Sequence, residues 1–202
     1  HAPIPSLLAT GAVHHYLVGE GTRTQAGGIV ESGEARECHH FSLLIGYGAE
    51  AVNPYVAFET IHDLYNDGLL PEGLTIERGE KNYINAVNKG LLKVASKMGI
   101  STIQSYRGAQ IFEAIGLNKK LVEEFFTGTT SRIEGVDLDI IAKEALQRHR
   151  RGFPPIPVDG KVLDSGGNYK WRMDGEYHQW NPDSVATLQH SIRANEFETF
   201  EE

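Results

Sequence analysis

The chain of 202 residues is 40% hydrophobic and 23% charged, an ordinary balance for a globular protein able to bury a core. A formal net charge of −8, with its only basic cluster at His149-Arg150-Arg151, argues against a phosphate-binding surface and so against a nucleic-acid partner. The single cysteine, Cys38, rules out an intramolecular disulfide framework and cannot alone hold an iron–sulfur cluster; no apolar run reaches the roughly 20 residues of a membrane span.

The opening His1-Ala2-Pro3-Ile4-Pro5 carries neither an initiator Met nor the basic and apolar blocks of a signal peptide, so the chain reads as a segment of a longer polypeptide. Ser6, after a proline and before Leu7, Leu8, Ala12, Val13, Tyr16 and Leu17, predicts a helix to Val18 that ends at Gly19. Gly27 to Glu31 is a strand candidate, Phe41, Leu44 and Ile45 keep helical spacing up to Gly46, and Ala51-Val52 make a second short strand. Asn53 as N-cap and Pro54 at the first helical position start a helix through Phe58, Ile61 and Tyr65 that stops at Gly68.

The strongest amphipathic pattern follows, from about Lys81 to Met98, with Ile84, Val87, Leu91, Val94 and Ala95 on one face and Gly99 at its end. Ile100 to Gln104 is expected as a strand, Ile111, Phe112 and Ile115 as a helix closed by Gly116, and a further helical run is capped by Asn118. Asp137 caps a helix with Leu138, Ile141 and Leu146, after which Arg150 to Pro157 breaks the periodicity and marks a domain junction. Beyond it, Tyr169 to Arg172 and Glu176 to Trp180 flank Met173-Asp174-Gly175 as a hairpin, and Asn181-Pro182 starts a last helix. Short strands alternating with helices indicate an α/β fold of parallel βαβ units over residues 1–150, a partial barrel-like segment, followed by a small hairpin-plus-helix region over 151–202.

Chemistry-bearing groups concentrate in Ser32-Gly33-Glu34-Ala35-Arg36-Glu37-Cys38-His39-His40, a strand-to-helix loop where α/β proteins place their sites. The pairs His14-His15 and His39-His40 could each lend one metal ligand with Glu34 or Glu37, although adjacent helical residues diverge by about 100° and hydrogen-bonded packing histidines are the plainer reading. Cys38 beside His39 has no orienting partner that would make it a nucleophile. Gly46-Tyr47-Gly48 lacks both the dinucleotide spacing and the P-loop lysine, so helix termination accounts for it. Gly128 to Arg132 could cradle an anion but suits a domain-contact loop better, and Trp171, Tyr177 and Trp180 read as a packing cluster before a ligand platform.

Five blocks carry a resemblance. Ala2 to Thr10 with Val13-His14-His15, Glu31 to Glu37 with His39-His40-Phe41, Leu44 to Ala49 with Asn53-Pro54-Tyr55, Tyr83 to Leu117, and Asp174 to His178 with Trp180-Asn181-Pro182 are similar, in order, to the large (alpha) subunit of the glutamate synthases. On that resemblance, residues 1–150 are the later part of the family's central (connector) domain and 151–202 the junction and N-terminal part of its FMN-binding domain. The resemblance implies an oxidoreductase that makes two glutamates from glutamine, 2-oxoglutarate and a reductant. In the family, ammonia passes from a glutaminase domain through an internal tunnel to an FMN site served by a 3Fe–4S cluster.

It implies no catalytic, cofactor or metal residue in this segment. FMN and 3Fe–4S belong to the full-length family, and the partners are the glutaminase and FMN-binding domains of the same polypeptide with a small electron-donor subunit or ferredoxin. The compartment is cytoplasmic, or a plastid for a plant-type source. The segment is then an inactive connector whose loops Ser32 to His40 and Ser101 to Arg107 face the tunnel or the flavin domain. Thr10, Ser32, Arg36, His39, His40, Ser101, Thr102, Ser105 and Arg107 are the tunnel or interface candidates. The alternative is a binding or scaffold module with no reaction role.

Overall fold

The first helix, α1 (Ser6–Gly19), is apolar on most of its circumference, and the structure uses two of its sides. In the computed structural model, which describes residues 3–155 and 165–201, Leu7 packs into both hydrophobic clusters of the first of two compact units. That unit comprises residues 1–153; the second comprises 154–202.

One cluster is built on a parallel strand pair. β1 (Ile29–Glu31) and β2 (Ala51–Asn53) align Ile29 with Ala51, Val30 with Val52 and Glu31 with Asn53, and α2 (Cys38–Gly46) is the crossover between them. Phe41 and Leu44 of α2 and Leu7 of α1 pack with Val30 and Val52, so both helices lie on the face of the pair that those valines present. Helix α2 then stops as its glycines require. The N–H groups of Tyr47, Gly48 and Ala49 donate back to Leu43, Ile45 and Leu44, which leaves no free nest of amides for a phosphate. Gly48 has φ +118, and a Cβ there would lie 2.4 Å from His14 Nδ1, so no other residue fits.

Asn53 completes the β2 register, which displaces the next helix from its expected start: Pro54 flanks it, α3 spans Tyr55–Asn66, and Ala57 and Phe58 donate to the Pro54 carbonyl. Helix α4 (Ile76–Lys97) begins earlier than the apolar pattern indicates because the Thr75 hydroxyl caps the Arg78 N–H. It crosses α2 at Gly90, where an added Cβ would lie 2.4 Å from Cys38 Sγ.

Two expected elements differ. Ile100 to Gln104 is not a strand: the Ile100 N–H closes the end of α4 on the Ala95 carbonyl, and the Thr102 hydroxyl takes the Ser105 N–H to open a short helix, α5 (Ile103–Tyr106). The stretch therefore enters no sheet among the described residues. Ile111 to Ile115 is not a helix either. Positive φ at Gly108 and Gln110 interrupts the chain, and β3 (Glu113–Leu117) pairs in parallel with β4 (Thr130–Val136), whose polar start suits a loop by sequence alone. The register shifts twice along this pair.

The second cluster fills the space between this pair and α1. Leu121 and Val122 of α6 (Lys119–Phe125) and the following Phe126 meet Leu7, Leu8, Tyr47, Ala114, Leu117 and Ile141. The Tyr47 hydroxyl is 2.6 Å from Thr129 Oγ1, tying the end of α2 to the entry of β4. Asn118 and Asp137 cap α6 and α7 (Leu138–Gly152) as their sequences predict, accepting from Lys120 and Ile140 N–H.

In the second unit, the expected turn is present but not the paired strands. Gly175 N–H donates to the Arg172 carbonyl with Asp174 at φ +58, and Glu176 N–H bonds the Gly166 carbonyl, so the flanking amides close turns instead of a ladder. Asn181 accepts from Asp183 and Ser184 N–H to start α8 (Pro182–Ala194), Asn195 ends it in the left-handed region, and α9 (Phe197–Glu201) packs beside it. Trp171, Tyr177 and Trp180 are exposed and stack on no ring among the described residues, which corrects the packing-cluster reading.

Candidate functional site

The polar centre of the first unit forms where α1, the turn Arg23–Gln25 and the end of β2's lead-in meet α5. Arg23 is held by three hydrogen bonds: Nε donates to His14 Nδ1 at 3.0 Å, Nη1 to the Ala26 carbonyl at 2.7 Å and Nη2 to the Gly48 carbonyl at 2.8 Å. Glu50 Oε1 lies 3.4 Å from Arg23 Nη2 and 2.6 Å from Arg107 Nη1, and Arg107 Nη2 also donates to Gln104 Oε1. Two guanidiniums thus share one carboxylate over a hollow of about 380 Å³ lined by His14, Arg23, Thr24, Glu50, Gln104 and Arg107.

The titration properties follow. The Arg107 hydrogen bond, helped by Arg23, holds the Glu50 carboxyl below its usual range. Burial first, then His15, Arg23 and Arg107, pushes His14 below the ordinary histidine value, consistent with a ring whose Nδ1 accepts. Burial lowers His15 too; its Nε2 finds no hydrogen-bond partner among the described residues and lies in a 50 Å³ pocket with Tyr47, Gln110, Phe112 and Thr129.

A second, larger hollow of about 640 Å³ runs between α1 and β1 and is lined by Ile4, Thr10, Val13, Leu17, Val30 and Ser32 among others. Here Thr10 and Ser32, two of the sequence-predicted residues, come together. Their hydroxyls are engaged within the chain: Thr10 donates to the Ser6 carbonyl, and Ser32 accepts from Glu34 N–H. The Glu34 carboxylate in turn accepts from the N–H and hydroxyl of Ser6, fixing the start of α1.

The other candidates lie apart from that hollow. His40 Nδ1 accepts from the N–H groups of Arg36 and Glu37 and so caps α2, with burial the main cause of its lowered pKa. Exposed Arg36 offers its carbonyl to the Tyr83 hydroxyl, and exposed His39 meets the Phe112 ring edge-on at 6.2 Å. Ser101, Thr102 and Ser105 are exposed on the α5 loop; of the loop's four candidates Arg107 lines the charged hollow, beside Gln104. Arg23 and Glu50 are not marked by their local sequence pattern, because they join each other across 27 residues; Glu34, a candidate metal ligand by sequence, instead holds Ser6.

Among the described residues no group of three His, Cys, Asp or Glu side chains could hold a metal ion, and the histidine pairs serve as cap, network and packing groups. A 3Fe–4S cluster does not fit this segment, since its thiolate ligands cannot come from Cys38 alone. No helix among the described residues is long and apolar enough to cross a membrane.

The family model described as the glutamate synthase central domain matches residues 1–118. The chain is 46% identical over 200 residues to the glutamate synthase [NADPH] large chain of Bacillus subtilis, covering 99% of this chain and 13% of that protein. It is 45% identical to glutamate synthase [NADH] of Schizosaccharomyces pombe, over 95% of this chain and 9% of that one. Against the ferredoxin-dependent glutamate synthase of Cyanidium caldarium it is 41% identical, over 98% and 13%. The chain spans about an eighth or less of these relatives, and it belongs to the glutamate synthase family.

Proposed function

We propose that this chain is the connector segment of a glutamate synthase large chain, without reacting groups of its own. The whole enzyme would make two glutamates from glutamine, 2-oxoglutarate and a reductant, with FMN and the 3Fe–4S cluster held elsewhere in the polypeptide. Residues 1–150 would form the later part of the central domain and 151–202 the entry to the flavin domain. The family match over residues 1–118 carries this reading. Electrons would come from a nicotinamide through a small partner subunit, or from ferredoxin, since relatives named for each donor are similar to this chain. The enzyme would work in the cytoplasm or a plastid.

Within that enzyme the α5 loop, Ser101 to Arg107, would form part of the wall that passes ammonia towards the flavin domain. Its hydroxyls are exposed, and the Arg107–Glu50 bridge anchors it to the body of the unit. Small hydroxylated side chains suit a neutral, hydrogen-bonding molecule in transit. Thr102→Phe or Ser105→Phe in the full-length enzyme should leave glutamine hydrolysis intact and lower the glutamate formed per glutamine hydrolysed; unchanged coupling would sink this role. A flavin spectrum and a glutaminase assay on the 202-residue chain alone should both be blank.

A further inference from the structure

The α1–β1 hollow has the form of a missing strand. Among the described residues, β1 pairs only with β2. Gly28 accepts from Ala51 N–H and Ser32 donates to the Asn53 carbonyl, so alternation turns the backbone groups of Ile29 and Glu31 towards the opposite edge. That edge faces the 640 Å³ hollow, and Ile29 is 77% exposed beside it. A bare apolar parallel edge of this kind is ordinarily paired, because parallel sheets are buried structures.

Chain order selects the occupant. Parallel strands need a crossover helix between them, and that crossover is right-handed. Helix α2 is the crossover from β1 to β2, and α1 packs on the same sheet face, against α2, before leading into β1. A strand placed before α1 and joined to β1 by the same right-handed crossover lies on the side of β1 away from β2, where the hollow is. We propose that the hollow receives a strand from the polypeptide immediately preceding His1 in the full-length chain, parallel to β1, with α1 as its crossover. Pro3 and Pro5 end that strand before α1, and strand-to-helix loops are short, so it falls within about a dozen residues of His1. Its inner side chains meet Val13, Leu17 and Val30, which calls for a β-branched, apolar run. This inference goes beyond the connector role and holds or fails independently of ammonia transfer.

Residue-resolved amide hydrogen exchange on the full-length polypeptide tests it. Ile29 and Glu31 N–H groups should be as protected as Val30 N–H, which faces β2. A proline at the centre of the upstream run should speed exchange at Ile29 and Glu31 by about tenfold or more, the size of one hydrogen bond, and leave Val30 unchanged. If that variant also loses protection in α4, it has unfolded the unit. Ile29→Cys with single cysteines placed along the upstream run then decides, and a disulfide within one chain at one upstream position supports the strand. Rapid exchange at Ile29 and Glu31 in the unmodified protein overturns it. So does protection that disappears on dilution, or crosslinking only between chains, either of which assigns the edge to a second copy.

Discussion

Two parallel strand pairs flank α1, and they differ in how they are held. The β1–β2 pair keeps one register along its length and rests on the larger cluster, with Phe41 and Leu44 against Val30 and Val52. The β3–β4 pair shifts register twice, carries Gly116 within β3 at φ +76, and rests on Leu121, Val122 and Phe126. A regular pair transmits the position of its neighbours; an irregular one tolerates local change. Helix α1 couples the two through Leu7, so they should melt together while differing in sensitivity to substitution.

The largest effects should come from the two aromatic anchors. Phe41→Ala and Phe126→Ala are each expected to cost about 3–5 kcal/mol in urea unfolding. Both should lower one shared midpoint; a separate early transition in Phe126→Ala alone would break the coupling through α1. The glycines sharpen the contrast. Gly48→Ala combines a strained backbone with a clash on His14 and should cost about 3 kcal/mol, whereas Gly116, which has nothing within 4 Å of an added Cβ, should cost about 1 kcal/mol.

Acid should act through the half-buried histidines of α1 and also through His40 of α2, whose pKa burial lowers in the same way. His14 and His15 have folded-state pKa values below the ordinary 6.5, so the unfolded chain binds protons more readily. Their contribution to stability is complete above about pH 6.5 and falls as the pH drops towards their folded values. The urea midpoint should therefore fall between pH 7.5 and 5.5, and His14→Gln should reduce that slope; an unaltered slope would remove His14 from the account. The smallest effect belongs to the irregular pair. The Arg132–Glu113 bridge is exposed at both ends, 79% and 44%, and Arg132→Ala should change stability by less than about 0.5 kcal/mol.

Much of the fold was readable where punctuation was local. Gly19, Gly46 and Gly99 mark helix ends, and Asn118, Asp137 and Asn181 mark helix starts, because a cap is formed by residues two to four apart. The second strand pair was not readable. Ile111 to Ile115 has helical spacing, and only its pairing with β4, which is itself masked by the polar Thr129-Thr130-Ser131-Arg132, makes it a strand. Ile100 to Gln104 failed for the opposite reason, since a threonine cap outcompeted β propensity. At the candidate site, Thr10 and Ser32 line one hollow and Arg107 another. The Arg23–Glu50–Arg107 network was invisible because its members come from three distant turns.

The crossing of α4 over α2 turns the single thiol into a timing device. Cys38 Sγ occupies the notch that Gly90 leaves open, so an alkylating reagent gains full access only when the two helices part. The rate of labelling at Cys38 therefore counts how often this helix pair breathes, and slower labelling when the flanking domains are present would measure how firmly the rest of the enzyme clasps its connector.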